Sequence, residues 1–389
     1  MKKIYYFTFV FLSCFQLFSQ QLSSKASVSV ITCGPGSELY TTFGHSAFRV
    51  YDATLGLDKI YNYGTFDFNA PNFYLNFAKG KLIYQLSTSS FSRFLNIYNY
   101  ENRWVKQQEL ALNTTEVQAF YYFLEENAKP ENRAYQYDFF YDNCSTKIEE
   151  VVRKVLKEKV EFNNSHITTI KTHRDLIADY TTTNLWSKFG IDLALGSVID
   201  KKATKDDYKF LPDYIFQAFE NSTITNTIKT PLVKKTRTIL KEKKVKHPLQ
   251  IVTPFNVFLL ISLFILGITY KNYKTKKRTK FLDFTLYFST GIIGIIVLLL
   301  WFATSHTATY RNFNFLWAFA PNLIVSFYLF KTKLPTWLTY YNWLLVALLG
   351  IAAILWIFKI QVFNAAIVPL GIALAVRYLF LIYSKNYLR

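Results

Sequence analysis

The sequence predicts two joined parts, an exported α+β head and an all-α membrane base of five helices. Three observations predict it. The chain opens on a short basic and apolar segment, its last third holds five long apolar stretches, and strand-like and helix-like patterns alternate between them. Across 389 residues, a hydrophobic share of 51% and an aromatic share of 19% exclude a disordered or fibrous chain. The formal net charge of +19 would suit a nucleic-acid binder if it lay on one folded face. It does not. Residues 22–228 carry 22 basic and 24 acidic groups, whereas residues 254–389 carry 13 basic groups against Asp283 alone. Positive charge gathered beside apolar segments points to a membrane and argues against DNA or RNA.

Residues 1–21 join Lys2-Lys3, an apolar run and Ser19-Gln20-Gln21, the pattern of a secretory signal. The apolar core is too short to span a bilayer, and Phe11-Leu12-Ser13 before Cys14 makes a poor lipobox. Residues 22–228 are long enough for one compact exported domain. Runs 27–32, 46–52 and 59–66 are rich in Val, Ile, Phe and Tyr and are expected as strands. Runs 115–126 and 146–159 are expected as helices. Residues 229–248 form a polybasic stretch, expected as a linker with some helical character lying against anionic headgroups.

Residues 249–389 form the expected membrane domain, with spans at 249–270, 281–303, 315–330, 337–358 and 362–383. Connection 271–280 carries six positive groups, 331–335 two and the tail 384–389 two, while 304–314 and 359–364 carry one each. The excess of Lys and Arg puts the first, third and last of these connections in the cytoplasm. The head then lies outside the bacterial inner membrane, in the periplasm, as the signal segment also requires. Pro321-Asn322 interrupts the third span. Arg377 falls near the end of the last and is expected to snorkel. Trp301, Trp317 and Tyr310 are expected at the outer interface.

Cys33 and Cys144 are the cysteines of the head. There is no CxxC or HExxH, and His166 and His173 lack companions at ligand spacing, so neither metal nor cofactor is expected. After Cys144, the residues Ile148, Val151, Val152, Val155 and Leu156 follow helical spacing, so the cysteine opens a helix. Free amide groups and the helix dipole there favour thiolate. The alternative is a structural cysteine, or a Cys33–Cys144 disulfide that would consume the nucleophile. A base is available in His45, in Phe43-Gly44-His45-Ser46-Ala47-Phe48-Arg49 at a strand start, although a lone strand histidine is commonly structural. The residue orienting it should come from Ile60-Tyr61-Asn62-Tyr63-Gly64-Thr65-Phe66, with Asn62 first and Tyr63 second. Strand with His, strand with a polar group, then helix with Cys is the order of circularly permuted papain-like enzymes of the lecithin–retinol acyltransferase-like kind.

Four runs carry a more specific resemblance. They are Thr32-Cys33-Gly34-Pro35-Gly36-Ser37-Glu38-Leu39-Tyr40, the His45 run, Asn62-Tyr63-Gly64-Thr65-Phe66-Asp67-Phe68, and Tyr137-Asp138-Phe139-Phe140-Tyr141-Asp142-Asn143-Cys144-Ser145-Thr146. In this order they resemble the exported domain of the Lnb-type bacterial lipoprotein N-acyltransferases. The likeness continues through His306, Asn312, Asn314, Trp317 and Pro321-Asn322. It implies transfer of a phospholipid acyl chain to the α-amino group of a lipoprotein's lipidated N-terminal Cys, with Cys144 and His45 at the family's motif positions. Expected oxyanion or substrate contacts are the Cys144 N–H, Tyr40, Asn143, Ser46, Arg49 and His306. Two other readings stay open: a membrane-tethered cysteine amidase or peptidase, and a non-catalytic envelope assembly module.

Overall fold

The computed structural model describes residues 20–243 and 250–383. The expected signal segment, apart from Gln20 and Gln21, and the expected tail 384–389 lie outside the described residues. The head begins with β1 (Ser27–Cys33), β2 (His45–Asp52), β3 (Leu57–Thr65), α1 (Phe73–Ala78), β4 (Ile83–Ser90) and α2 (Phe91–Tyr100). It continues with β5 (Val105–Leu110), α3 (Thr114–Ala128), β6 (Ala134–Gln136), α4 (Cys144–Leu156), β7 (Val160–Glu161), α5 (His173–Tyr180) and α6 (Leu185–Ala194). It closes with α7 (Pro212–Asn221), β8 (Thr223–Thr225), β9 (Lys229–Pro231) and β10 (Val233–Leu240).

A seven-stranded sheet in the order β10-β5-β1-β2-β3-β4-β6 forms the body, and β7-β8-β9 make a small second sheet. The described pairings are all antiparallel. One face of the large sheet packs Val28, Val30, Phe48, Val50 and Tyr61 against α3, α4 and α7 through Phe120, Ile148, Val152, Ile215 and Phe219. The other sets Ile31, Cys33, Ala47 and Ile60 against Phe91, Phe94 and Tyr98 of α2. Both faces of β1 and β2 are covered, so their polar members Ser29, Thr32 and Ser46 are buried along with the apolar ones.

The stretch 229–248 departs from expectation: up to Leu240 it is paired strand and not linker. β9 pairs with β8, and β10 closes an edge of the large sheet against β5, with Lys235 opposite Glu109. Lys234 Nζ lies 3.0 Å from the Glu109 carboxylate. Lysine on an edge strand deters pairing with other chains, so a Lys-rich composition and strand structure belong together here.

The base comprises α8 (Pro254–Thr275), α9 (Lys280–Phe302), α10 (Asn322–Tyr328), α11 (Trp337–Ile357) and α12 (Ile367–Tyr383). Helices α8, α9 and α11, with 22, 23 and 21 residues, are long and apolar enough to cross a membrane, and α12 is a shorter apolar helix. The expected third span, 315–330, is not one helix. It is a 3₁₀ turn, an irregular stretch and the seven-residue α10. Pro321 interrupts the hydrogen-bond ladder, and α9 offers a groove for the irregular backbone. A Cβ on Gly291 would lie 2.2 Å from Leu323 N, and one on Gly294 would lie 2.0 Å from Ala318 O. Asn322 donates to Thr290 Oγ1 at 2.9 Å and accepts from the Tyr341 hydroxyl at 2.5 Å. Irregular backbone is tolerated at membrane depth where neighbouring helices bury it.

Arg377 does not snorkel. It is fully buried, with Nε 2.6 Å from Asp283 Oδ1 and Nη1 bonded to Thr269 Oγ1 and Asn272 Oδ1. An anionic partner on α9 supplies inside the bundle what snorkelling would seek at the surface. Trp317 also departs from an interfacial belt: it is 4% exposed and its indole N–H donates to Asn314 Oδ1.

Head and base are tied by specific bonds. Asn312 Nδ2 donates to Leu193 O at 2.8 Å and Ala194 O at 3.0 Å, and Asn314 Nδ2 to Asp192 O at 3.1 Å. These carbonyls end α6 and lack helical partners of their own. Gly196 N–H donates to Ala308 O, and Val362 N–H and Asn364 Nδ2 donate to Asp200 and Asp192. At the opposite end of α9, about 35 Å away at 1.5 Å per residue, Arg278 donates to Leu329 O and Lys331 O, and Lys280 to Thr332.

Candidate active site

Three elements meet at one end of the large sheet: the start of β2, the end of β3 and the start of α4. Gly44 precedes β2 with φ +80°, and a Cβ on it would lie 2.7 Å from the Cys33 carbonyl oxygen. Only glycine turns the chain into β2 at that distance, and His45 is thereby the strand's first residue. The register of β3 against β4 shifts between Asn62 and Thr65, and Gly64 takes φ +85° within the irregularity. Such a bulge re-aims the end of a strand.

Cys144 is the first residue of α4 because Asn143 is its cap. Asn143 Oδ1 accepts from the N–H groups of Ser145 at 2.8 Å and Thr146 at 3.0 Å. Its own amide donates to Phe139 O and Phe210 O, both at 2.7 Å. Both amide hydrogens are therefore spent on carbonyls, which corrects the expectation of Asn143 as an oxyanion contact. The cap bonds go to the second and third residues of the helix, and the cap leaves the Cys144 N–H free.

The Cys144 thiol lies in hydrogen-bonding reach of the His45 imidazole. His45 Nε2 bonds to Asn62 Oδ1. A carbonyl oxygen can only accept, so Nε2 carries a proton and Nδ1 is left for the thiol. Burial opposes charge on both groups. Even so, the thiol is held below its ordinary value and the imidazolium above its own, because each stabilises the other's charged form and shares a hydrogen bond with it. The Ser46 N–H and the Ser145 side chain add to the thiolate side. The arrangement favours thiolate on Cys144 and imidazolium on His45, with the imidazole held by Asn62.

The other expected residues separate. The Ser46 side chain is buried and faces Ser145 Oγ at 3.4 Å, so Ser46 reaches the cysteine through its backbone. Arg49 lies four residues along β2, about 13 Å from His45 at strand rise. It forks onto Asp58 at 2.7 and 2.9 Å, donates to Gln107 Oε1 and covers the Phe91 ring. Those bonds occupy the guanidinium and correct its expected place in the site. Tyr40 is 63% exposed and packs edge-on to Phe66 and Phe68 at the rim. Tyr63, the second choice for orienting the base, points to the opposite sheet face. His306 lies in the loop after α9, with Nε2 3.0 Å from Phe77 O, and serves as a contact between base and head.

Cys33 and Cys144 are both free. Cys33 pairs with His45 in the β1–β2 register, closer to the base than its sequence context implies. Burial nevertheless pushes its thiol far up, and it stays protonated.

Sequence reasoning missed the aromatic wall beside Cys144. Tyr84 stacks on Tyr137 with ring centroids 4.1 Å apart. Burial, followed by the nearby Cys144 charge, pushes the Tyr84 hydroxyl up to about 12. Tyr135 sits against Gly64. The alternation Tyr135-Gln136-Tyr137 ahead of the cysteine was the available signal. Outside this wall, α1 leaves Tyr74 and Phe77 exposed beside the loop that carries His306.

Two family models match the chain. Residues 15–178 match the Lnb N-terminal periplasmic domain and residues 246–387 the Lnb transmembrane domain. No curated protein and no solved structure matches it.

Proposed function

The chain belongs to the Lnb family, whose periplasmic and transmembrane domains it carries in order, and from that premise we propose that it transfers an acyl chain from a membrane phospholipid to the N-terminal amine of a lipoprotein. The observation that carries this reading is the Cys144–His45–Asn62 arrangement at the start of α4.

The Cys144 thiolate attacks the carbonyl carbon of a phospholipid ester. The tetrahedral intermediate collapses as the His45 imidazolium gives its proton to the departing glycerol oxygen, releasing lysophospholipid and leaving a thioester. The free α-amino group of the lipoprotein's lipidated N-terminal Cys then attacks that thioester. His45 accepts the amine proton, the amide forms, and the thiolate departs to restore the starting pair. Asn62 keeps the imidazole turned toward sulfur throughout.

The membrane base supports a lipid substrate. Ser305 N–H donates to Lys79 O at 2.8 Å, and Thr307 Oγ1 to Asp138 Oδ2 at 2.7 Å. These bonds tie the exposed aromatic helix α1 and the loop before Cys144 to the end of α9. Both substrates are held in a bilayer, and contacts between the head and the end of a membrane-length helix support a site that works beside one.

The test is intact mass measurement of the whole protein in phospholipid vesicles before a lipoprotein acceptor is added. An added acyl mass on Cys144, discharged by acceptor and absent in Cys144→Ala, is expected. Full transfer by Cys144→Ala would overturn the reading.

A further inference from the structure

The space beside the α-carbon of Gly64 is bounded in an unusual way. A Cβ placed there would lie 3.4 Å from Cys144 Cβ, 3.9 Å from Cys144 N and 3.8 Å from the Tyr135 hydroxyl oxygen. One small volume therefore touches the nucleophile's own carbon, its backbone amide and a phenol. The Tyr135 hydroxyl is buried; the Gly64 backbone N–H faces its oxygen, and its own proton has no acceptor among the described residues. Burying a hydroxyl whose proton is unspent is costly, so a fold that keeps one beside a reactive sulfur keeps a donor in reserve. The Cys144 N–H, bypassed by the Asn143 cap, is the second donor.

Building on the acyl-transfer reading, we propose that Gly64, Tyr135 and the Cys144 N–H form the oxyanion cradle of this site, with Tyr135 as a further catalytic residue. When sulfur attacks an ester or thioester carbonyl, the carbonyl π pair moves onto oxygen. The oxygen enters the space a side chain at position 64 would fill and receives hydrogen bonds from the phenol and the amide. Both donors keep their protons. When the intermediate collapses, the pair returns to carbon and the bonds weaken. Burial raises the Tyr135 hydroxyl far above its ordinary value, so it remains a neutral donor across the working pH range. The cradle replaces Tyr40 and Asn143, of which one lies at the rim and the other is spent as a cap.

The experiment compares wild type, Tyr135→Phe, Gly64→Ala and Cys144→Ala as whole proteins in phospholipid vesicles. Tyr135→Phe should lower kcat for acyl-enzyme formation by about 10²–10³-fold, the range for loss of one such donor, with little change in KM. The rate and pH profile of Cys144 alkylation by iodoacetamide should stay at wild-type values, which reports an intact fold and an intact thiolate. Gly64→Ala, which fills the cradle, should lose at least as much transfer. A long-chain trifluoromethyl ketone, which forms a tetrahedral oxyanion on the thiol, should bind Tyr135→Phe more weakly in proportion to its loss of kcat/KM. Wild-type turnover or unchanged inhibition in Tyr135→Phe overturns the cradle while leaving the cysteine mechanism standing. A wild type without acyl-enzyme, or an active Cys144→Ala, overturns the acyl-transfer reading itself.

Discussion

At the Cys144 side chain, charge is set by two neighbours, and reactivity should follow them with pH. The thiol sits below its ordinary value and the His45 imidazolium above its own, and both shifts favour thiolate and imidazolium together. Alkylation of Cys144 by iodoacetamide should rise as pH climbs through the lowered thiol value, at lower pH than for a free cysteine thiol, whose ordinary value is about 8.5. His45→Ala should move that rise to higher pH, since burial alone disfavours the thiolate, and Asn62→Ala should move it less. Transfer should fall again above the His45 value, where no imidazolium remains to protonate the leaving oxygen. Cys33 should stay unlabelled, and rapid labelling of Cys33 would contradict its burial. The pair was legible from sequence because a helix start and a strand start are local patterns. The fates of Arg49 and Asn143 were not, because their partners Asp58, Gln107, Phe139 and Phe210 are chosen by strand pairing and by loops from elsewhere in the head.

At the level of single elements, the buried pair between α9 and α12 makes a sharp claim. Arg377 and Asp283 are both fully buried; Asp283 also holds Arg278 at 3.1 Å but is the anion paired with Arg377, so removing Asp283 strands the Arg377 charge. Asp283→Leu alone should lower stability by about 3–5 kcal/mol, and the double change Asp283→Leu with Arg377→Met should regain most of it. The thermal unfolding midpoint of the detergent-purified protein reads this directly. A double variant no more stable than the single would remove the ion pair as the cause. Strands 27–32, 46–52 and 59–66 and helices 115–126 and 146–159 all have counterparts within a few residues. Their signals are periodicities, which need no knowledge of neighbours. The third apolar span and β10 were misread for the opposite reason. Apolar length cannot reveal that Gly291 and Gly294 shape a groove for broken backbone, and charge cannot reveal that a lysine-rich run has an edge to pair with.

For the molecule as a whole, the bonds between head and base bear on its orientation in the membrane. Loops 303–314 and 358–366 both contact the head, while the Lys- and Arg-rich connections at 276–280 and 329–332 meet at the other end of α9. A reporter active only outside the cytoplasm should work when fused after Asn364 and fail after Lys277 or Arg389. Activity after Arg389 would mean an even number of crossings after the head. The pairing of β10 with β5 also governs when the protein can be finished during its synthesis. Residues 233–240 are the last the large sheet receives, and only 241–253 separate them from the first membrane helix. As that strand leaves the export channel, α8 is already entering it. Closing the sheet and threading the first span thus coincide on the nascent chain, and the sheet is completed only as the chain becomes moored in the bilayer.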